Sequence, residues 1–236
     1  MSGIELLVGS VLPYVAAVAF VGGIAYRFST WSRTPQPGKL TLYPTEGWDL
    51  SSAAKEAMFF PNLFKGDKVL WLIAWTFHAA LALALLGHLR VVTGFFDAAF
   101  RSVGLSLSHA GFAMLSKIAG GAAGTALVVA AIALLLRRLF LPRVREISSG
   151  PDFFALLLIV AVIASGDALR FGSSPVDVAE TRIWARSLVM LSPRAPTNPA
   201  ILLHALFAEL LICYLPLSKL IHFGGLFYTM PLVRRS

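Results

Sequence analysis

The sequence has few charged residues and almost no cysteine. Only 14% of its 236 residues are Asp, Glu, Lys or Arg, whereas 57% are hydrophobic. A soluble domain of this length would leave much of that apolar surface in water, so the composition favours a protein of the lipid bilayer. The single cysteine, Cys213, excludes a disulfide framework and any zinc or iron–sulfur site built from cysteines of this chain alone.

The apolar residues form long continuous runs and not short alternating ones. Because about 20 apolar residues cross the hydrocarbon layer as a helix, these runs predict an all-α membrane bundle and not a β-barrel. We expect five transmembrane helices in one domain that covers residues 1–236. Their predicted bounds are residues 6–26, 69–89, 112–136, 153–170 and 200–221. Small residues between Gly120 and Gly124 predict close packing of the third helix.

Basic residues are distributed unevenly between the two sides of this bundle. Segments 27–68, 137–152 and 219–236 together hold 13 Lys and Arg, whereas the remaining segments hold 7. The positive-inside rule therefore predicts an N-terminus outside and a C-terminus in the cytoplasm of a prokaryotic inner membrane. This distribution also accounts for the net charge of +8, so we expect contact with membrane lipid and no nucleic acid.

Two predicted loops are long. The cytoplasmic loop 27–68 is too rich in aromatic residues for a free linker, and we interpret it as a platform that packs on the membrane surface or on a partner. The outer loop 171–198 contains a segment, Val178–Leu191, that could form a short amphipathic helix on the outer surface.

The second and fifth predicted helices each carry two histidines. His78 and His88 are ten residues apart, about 80° short of sharing one face, and His204 and His222 are eighteen apart, which is five full turns. Ionisable residues inside a bilayer are costly, and they indicate a functional site. A single such histidine would be explained by a bond between helices, but two pairs on two helices favour a shared function.

These two helices run antiparallel in the predicted topology. His78 therefore pairs with His222 toward the cytoplasm, and His88 pairs with His204 toward the outside. Each pair can bind one haem iron from both sides, which suits electron transfer and leaves no position for oxygen. A zinc site would need three or four ligands that converge on one point, and the wide spacing disfavours it.

The two spacings also create a mismatch. Ten residues rise about 15 Å and eighteen about 27 Å, so straight, upright helices would not align both pairs. Helix tilt, off-plane ligation or a kink at Pro216 could absorb the difference. Two nearby charged residues have open interpretations: Arg90 binds a haem propionate or anchors a helix end, and the mid-membrane Glu209 bonds to another helix or relays protons.

The residues around these histidines resemble a known family, the gamma subunit of respiratory nitrate reductase. The matching stretches run from Phe77–His78 to Gly87–His88, from Leu136 to Arg145 and from Leu203–His204 to His222, with the same histidine spacings. The resemblance implies a five-helix cytochrome b with two haem b groups, bound by His78 and His222 toward the cytoplasm and by His88 and His204 toward the outside.

The resemblance also implies a function in electron transport. Quinol would be oxidised beside the outer haem, and electrons would pass inward to an iron–sulfur subunit and on to a catalytic subunit. His109, at the outer start of the third helix, is a candidate acceptor of the quinol proton, although it could be merely an interfacial histidine. The family's quinol-site lysine has no clean counterpart here, and Lys117 is the nearest candidate.

Several alternatives stay open at this point. Similar cytochromes serve complexes related to heterodisulfide reductase and sulfur metabolism, and electron flow could run in reverse and reduce quinone. No nucleotide motif or iron–sulfur cysteine set is present, so terminal catalysis would take place in partner subunits. Two haem-free alternatives are a transporter whose His and acidic side chains line a pathway and a membrane anchor whose histidines are structural.

Overall fold

The structure of the chain is a computed structural model. The structure describes residues 2–34, 50–92, 102, 109–172, 176, 178–222 and 224–225. Within these ranges every regular element is helical, and five helices are long and apolar enough to cross a membrane. The prediction of an all-α bundle with five membrane spans is thus confirmed, whereas the orientation of the termini stays a prediction.

Ten α-helices make up this described part of the chain. In chain order they are α1 (Gly3–Leu6), α2 (Leu12–Arg33), α3 (Leu50–Phe59), α4 (Pro61–Gly66), α5 (Lys68–Val92), α6 (His109–Phe140), α7 (Pro142–Glu146), α8 (Gly150–Phe171), α9 (Val178–Val189) and α10 (Pro199–Tyr214). A π-helical turn, Leu7–Val11, joins α1 to α2, and the two form one span. The other spans are α5, α6, α8 and α10 with the turn that follows it.

The fifth span differs from its prediction. Its α-helix ends at Tyr214, and the chain continues in two 3₁₀ turns, Leu215–Leu217 and Lys219–Ile221. Pro216 explains the break, because proline has no N–H to donate and its ring clashes with the carbonyl four residues earlier. His222 follows the second turn, so it does not continue the α10 axis.

The spans pack in the order α5, α6, α8, α10 and α2. Buried residues of α5, α6 and α8 form the main core, which includes Phe77, Leu127 and Ile163. A Cβ at Gly120 would overlap the Arg170 guanidinium, so the small residues of α6 do permit the close approach of α8.

Helix α9 covers the end of the bundle at which α2 begins. It corresponds to the amphipathic segment Val178–Leu191 predicted from the sequence. The indole nitrogen of Trp184 donates to the carbonyl of Gly9 over 2.7 Å. Gly9 lies in the π-helical turn, where the regular hydrogen-bond ladder is interrupted, and a Cβ there would collide with Ala195. The turn and the glycine together let this loop pack onto the first span.

Residues 27–33 of the predicted loop 27–68 belong to α2, and the chain is described again from residue 50 onward. Helices α3 and α4 lie in this part, and α4 packs against α5. Residues 35–49 of the predicted platform lie outside the described residues.

Candidate functional site

The four histidines of α5 and of the fifth span face one another in two pairs. The imidazole centroids of His78 and His222 are 5.9 Å apart, with ring planes at 87°. Those of His88 and His204 are 6.2 Å apart, with planes at 22°. We call the end of the bundle with the first pair the inner end and the end with the second pair the outer end.

The break in the fifth span lies between His204 and His222. The 3₁₀ turns after Tyr214 change the path of the chain before His222 is reached. Ser218, between the two turns, is extended with φ −104° and ψ 174°, which no α-helix allows. Two pairs can therefore form at two depths although the histidine spacings along the two segments differ.

The Nδ1 atoms of three histidines lie next to backbone carbonyls. His78 Nδ1 is 2.7 Å from Ala74 O and His88 Nδ1 is 2.7 Å from Ala84 O, each four residues back in α5. In the inner pair, His222 Nδ1 is 3.3 Å from the Lys219 carbonyl. Because a carbonyl can only accept, Nδ1 carries the proton in these rings and Nε2 keeps its lone pair. Metal-ligating histidines commonly have this arrangement.

His204 has a different partner. Its Nδ1 lies 3.0 Å from the hydroxyl oxygen of Ser165, and that hydroxyl donates to the Val162 carbonyl over 2.9 Å. A hydroxyl that donates to a carbonyl can at the same time accept from Nδ1–H. The next residue, Gly166, lies so close that a Cβ there would be 3.1 Å from His204 Cε1. The Ser165–Gly166 step of α8 thus supports one imidazole of the outer pair.

The helices that carry the histidines leave room between them. Among the described residues, α5 and α10 are not a closely packed helix pair, although each packs on its other neighbours. His88 and His222 are exposed, and His78 and His204 are partly buried. No group of three or more His, Cys, Asp or Glu side chains converges within the described ranges, so each pair offers two ligands.

The segment that carries His222 is bound by Arg27, in the last two turns of α2. The Arg27 guanidinium donates to Pro216 O over 2.8 Å and to Leu217 O over 3.1 Å. Carbonyls at a helix end have lost their regular donors, and a charged donor satisfies them well. A Cβ at Gly23 would collide with the Pro216 ring, so α2 lies directly against the break.

A carboxylate at the start of α8 makes a second connection at the inner end. Lys219 Nζ lies 2.9 Å from Asp152 Oδ2, and the Arg138 guanidinium lies 3.7 Å from the same oxygen. Asp152 also caps its own helix through Ser149. The Lys219 carbonyl is the group beside His222 Nδ1, so this network reaches one histidine of the inner pair.

The structure says less about the side chains of the other three predicted site residues. His109 is the first residue of α6 and Arg90 lies near the end of α5, but both side chains lie outside what the structure describes. Lys117 is exposed on α6. The structure therefore brings together the four paired histidines, and the roles of His109, Lys117 and Arg90 stay predictions.

Glu209 lies on α10, one turn and a half beyond His204. It is 6% exposed, and its Oε2 has no hydrogen-bond partner in the described part of the chain. The interhelical bond considered from the sequence is thus not made by this oxygen. An unpaired buried carboxyl oxygen is costly.

A protein-family profile described as nitrate reductase gamma subunit matches residues 62–235. The chain belongs to this family. The match confirms the resemblance inferred from the histidine-bearing segments, and it covers all four membrane spans from α5 onward.

Individual relatives are similar to this protein over nearly the whole chain. A Hdr-like menaquinol oxidoreductase cytochrome b-like subunit of Archaeoglobus fulgidus is 29% identical over 96% of this chain and 79% of its own. The nitrate reductase gamma chain of Bacillus subtilis is 28% identical over 94% of this chain and 91% of its own. With five spans and such relatives, the chain is a multi-pass protein of a prokaryotic membrane.

Several supporting residues were not predicted from the sequence. Ser165 is a single hydroxyl inside an apolar span, and only its contact with His204 distinguishes it. Arg27 lies one residue beyond the predicted first helix, where an arginine normally indicates only the membrane interface. Its hydrogen bond to the Pro216 carbonyl depends on how α2 packs against the fifth span of this nitrate reductase gamma family member.

Proposed function

We propose that this chain is the dihaem cytochrome b subunit of a respiratory oxidoreductase complex. In this proposal quinol is oxidised near the outer end, and electrons leave at the cytoplasmic inner end to an iron–sulfur partner. The proposal rests on one observation, the two facing histidine pairs with ring centroids 5.9 and 6.2 Å apart. Terminal catalysis would belong to a further subunit.

The ring separations fit two imidazoles that would hold one metal ion between them. Two imidazoles whose nitrogens each lie about 2 Å from one metal ion have centroids on the order of 6 Å apart. The protonated Nδ1 atoms of His78 and His88 leave Nε2 as the ligand atom in both pairs. A bound b-type haem with two histidine ligands supplies a one-electron carrier without an open coordination position.

The residues around the pairs have separate tasks in this proposal. Oxidation of one quinol releases two electrons and two protons, and His109 at the outer start of α6 is the proposed first proton acceptor. Lys117, on the same helix, is a second candidate for the quinol site. Arg90, two residues after His88, is the proposed partner of a haem propionate because Arg pairs well with carboxylates.

The decisive experiment is a pyridine haemochrome assay with protein quantitation on the detergent-purified chain expressed with added haem. We expect two b haems per wild-type chain and a fall toward one in both His78→Ala and His88→Ala. His109→Ala is the matched control, because it removes the one histidine that lies in neither pair and should leave the haem content unchanged. A haem-free wild type would overturn the proposal and favour the transporter or anchor alternatives.

A second candidate concerns the complex to which this cytochrome belongs. Two Archaeoglobus relatives, which match 96% and 92% of this chain, are named as subunits of Hdr-like menaquinol oxidoreductases. These names favour menaquinol as the quinol and a heterodisulfide reductase-like partner in place of nitrate reductase. Co-purification from the native membrane, followed by mass spectrometry of the partner subunits, would distinguish a heterodisulfide reductase-like partner from nitrate reductase.

The orientation of the bundle also belongs to the proposal. The excess of basic residues at the inner end supports a cytoplasmic inner end and an N-terminus outside. Reporter fusions at each terminus would test this orientation. One reporter should be active only outside the cytoplasm and the other only inside it. An outside-active reporter at the C-terminus would reverse the proposed direction of electron transfer across the membrane.

A further inference from the structure

Phe60 lies between α3 and α4 in an unusual backbone conformation. Its φ and ψ are 49° and 50°, the left-handed region that non-glycine residues seldom adopt. The residue ends α3 through a bond from Phe60 N to Glu56 O, and its own carbonyl accepts from Phe64 N in α4. Such strained residues persist only where their surroundings hold them, and they cluster at functional sites.

Two tryptophans of α5 hold the backbone on the N-terminal side of Phe60. Trp71 Nε1 donates to Phe59 O over 2.7 Å, and Trp75 Nε1 donates to Met58 O over 3.1 Å. The two indoles are one helical turn apart and stack at 6.0 Å with an angle of 20°. The carbonyls of two consecutive residues of α3 thus accept hydrogen bonds from tryptophans on two consecutive turns of α5.

The strained backbone places the Phe60 ring on His78. The two ring centroids are 5.2 Å apart in an edge-to-face arrangement at 76°. Phe77 makes a second edge-to-face contact with the same imidazole at 5.4 Å. His78 therefore lies beside two phenyl rings and opposite His222, and the segment Leu50–Gly66 brings one of those rings from outside the five spans.

We infer that Phe60 is a positioning residue of the inner histidine pair. Its ring covers His78, holds the imidazole in its orientation and keeps water from the inner end of the gap between α5 and the fifth span. The apolar shell around a metal site controls solvent access and redox potential. The inference rests on the proposed function, because the potential concerned is that of a haem held by His78 and His222.

Potentiometric titration of the haem-loaded full chain tests this role. Phe60→Ala should lower the midpoint potential of the inner haem, because water favours the oxidised iron with its additional positive charge. The potential of the outer haem should stay unchanged. His222→Ala, which lacks one ligand of the inner pair, identifies which of the two potentials belongs to the inner haem.

Three further variants separate positioning from stability. Phe59→Ala is the matched control, since its half-exposed side chain belongs to the same segment but not to the described ring contacts of His78. Phe60→Leu keeps apolar bulk and should give a smaller downward shift. Phe60→Gly relieves the backbone strain, so it should unfold at a higher temperature than Phe60→Ala and yet show the same lowered potential.

The outcomes distinguish the inference from the function on which it rests. A wild-type chain without haem would overturn the proposed function and this role with it. Two haems in Phe60→Ala with both potentials as in wild type would overturn only the role of Phe60. A shift of the outer potential, or equal shifts in Phe59→Ala and Phe60→Ala, would also overturn it.

Discussion

The Ser165 hydroxyl connects His204 to the backbone of a neighbouring span. Its oxygen is 3.0 Å from His204 Nδ1 and 2.9 Å from Val162 O, so a side-chain hydroxyl lies beside this imidazole nitrogen. An imidazole whose Nδ1–H is accepted by another group is a more basic ligand, which stabilises oxidised iron. The Nδ1 contact of His204 therefore depends on a side chain, whereas His88 in the same pair contacts the Ala84 carbonyl.

We expect Ser165→Ala to raise the midpoint potential of the outer haem. The loss of one hydrogen bond costs up to about 1 kcal/mol. For a one-electron couple this corresponds to a rise in midpoint potential of at most about 40 mV. Redox titration of the purified chain measures this midpoint potential. Ser165→Thr retains the hydroxyl and should stay near the wild-type value. An unmoved potential in Ser165→Ala would contradict the prediction and assign Nδ1 to another acceptor.

Gly166 should be intolerant of branched side chains. A Cβ at this position already lies 3.1 Å from His204 Cε1, so the larger side chain of Gly166→Val would displace the imidazole. The expected result is loss of the outer haem with retention of the inner one, seen as one haem per chain. Gly22→Val is the control, since a Cβ at Gly22 meets nothing within 4 Å. Two haems in Gly166→Val would show that the site adapts.

Arg27 should matter for the inner pair although it lies on a different span. Arg27→Ala leaves the Pro216 and Leu217 carbonyls without their donor, which costs about 1–3 kcal/mol. We expect weaker retention of the inner haem and a lower unfolding temperature in detergent. Arg27→Lys should be intermediate, because an ammonium cannot reproduce the planar arrangement of the guanidinium donors.

The exposed Arg33, the last residue of α2, provides the control for this experiment. Arg33→Ala removes the same charge from the same helix end and should leave both haems in place. Equal haem loss in Arg27→Ala and Arg33→Ala would indicate that charge at the inner end, and not the two carbonyl bonds, holds the segment.

Glu209 should be replaceable by an apolar residue of similar size. Because its Oε2 is buried without a hydrogen-bond partner, Glu209→Met should raise the unfolding free energy by about 1–3 kcal/mol. Thermal unfolding in detergent measures the change in stability. The haem assay measures whether both haems are retained. A stabilised chain with two haems would assign Glu209 no part in haem binding. A destabilised chain would contradict the prediction and show that the carboxyl stabilises the isolated chain.

The sequence by itself determined the class of the protein and the position of its spans. Long apolar runs can satisfy their backbone hydrogen bonds in a bilayer only as helices, so five helices followed from local composition. The opposite directions of the second and fifth helices also indicated which histidines could meet, His78 with His222 and His88 with His204. These properties depend on short stretches of chain and on the bilayer, and they need no knowledge of packing.

Only the tertiary structure decided how those histidines are supported. Pro216 indicated a possible kink, but the bonds from Arg27 to the broken segment depend on the contact between the first and fifth spans. The Ser165 contact with His204 and the Phe60 contact with His78 join residues that are distant in the chain. Such contacts arise from the packing of whole elements, and no local pattern of residues encodes them.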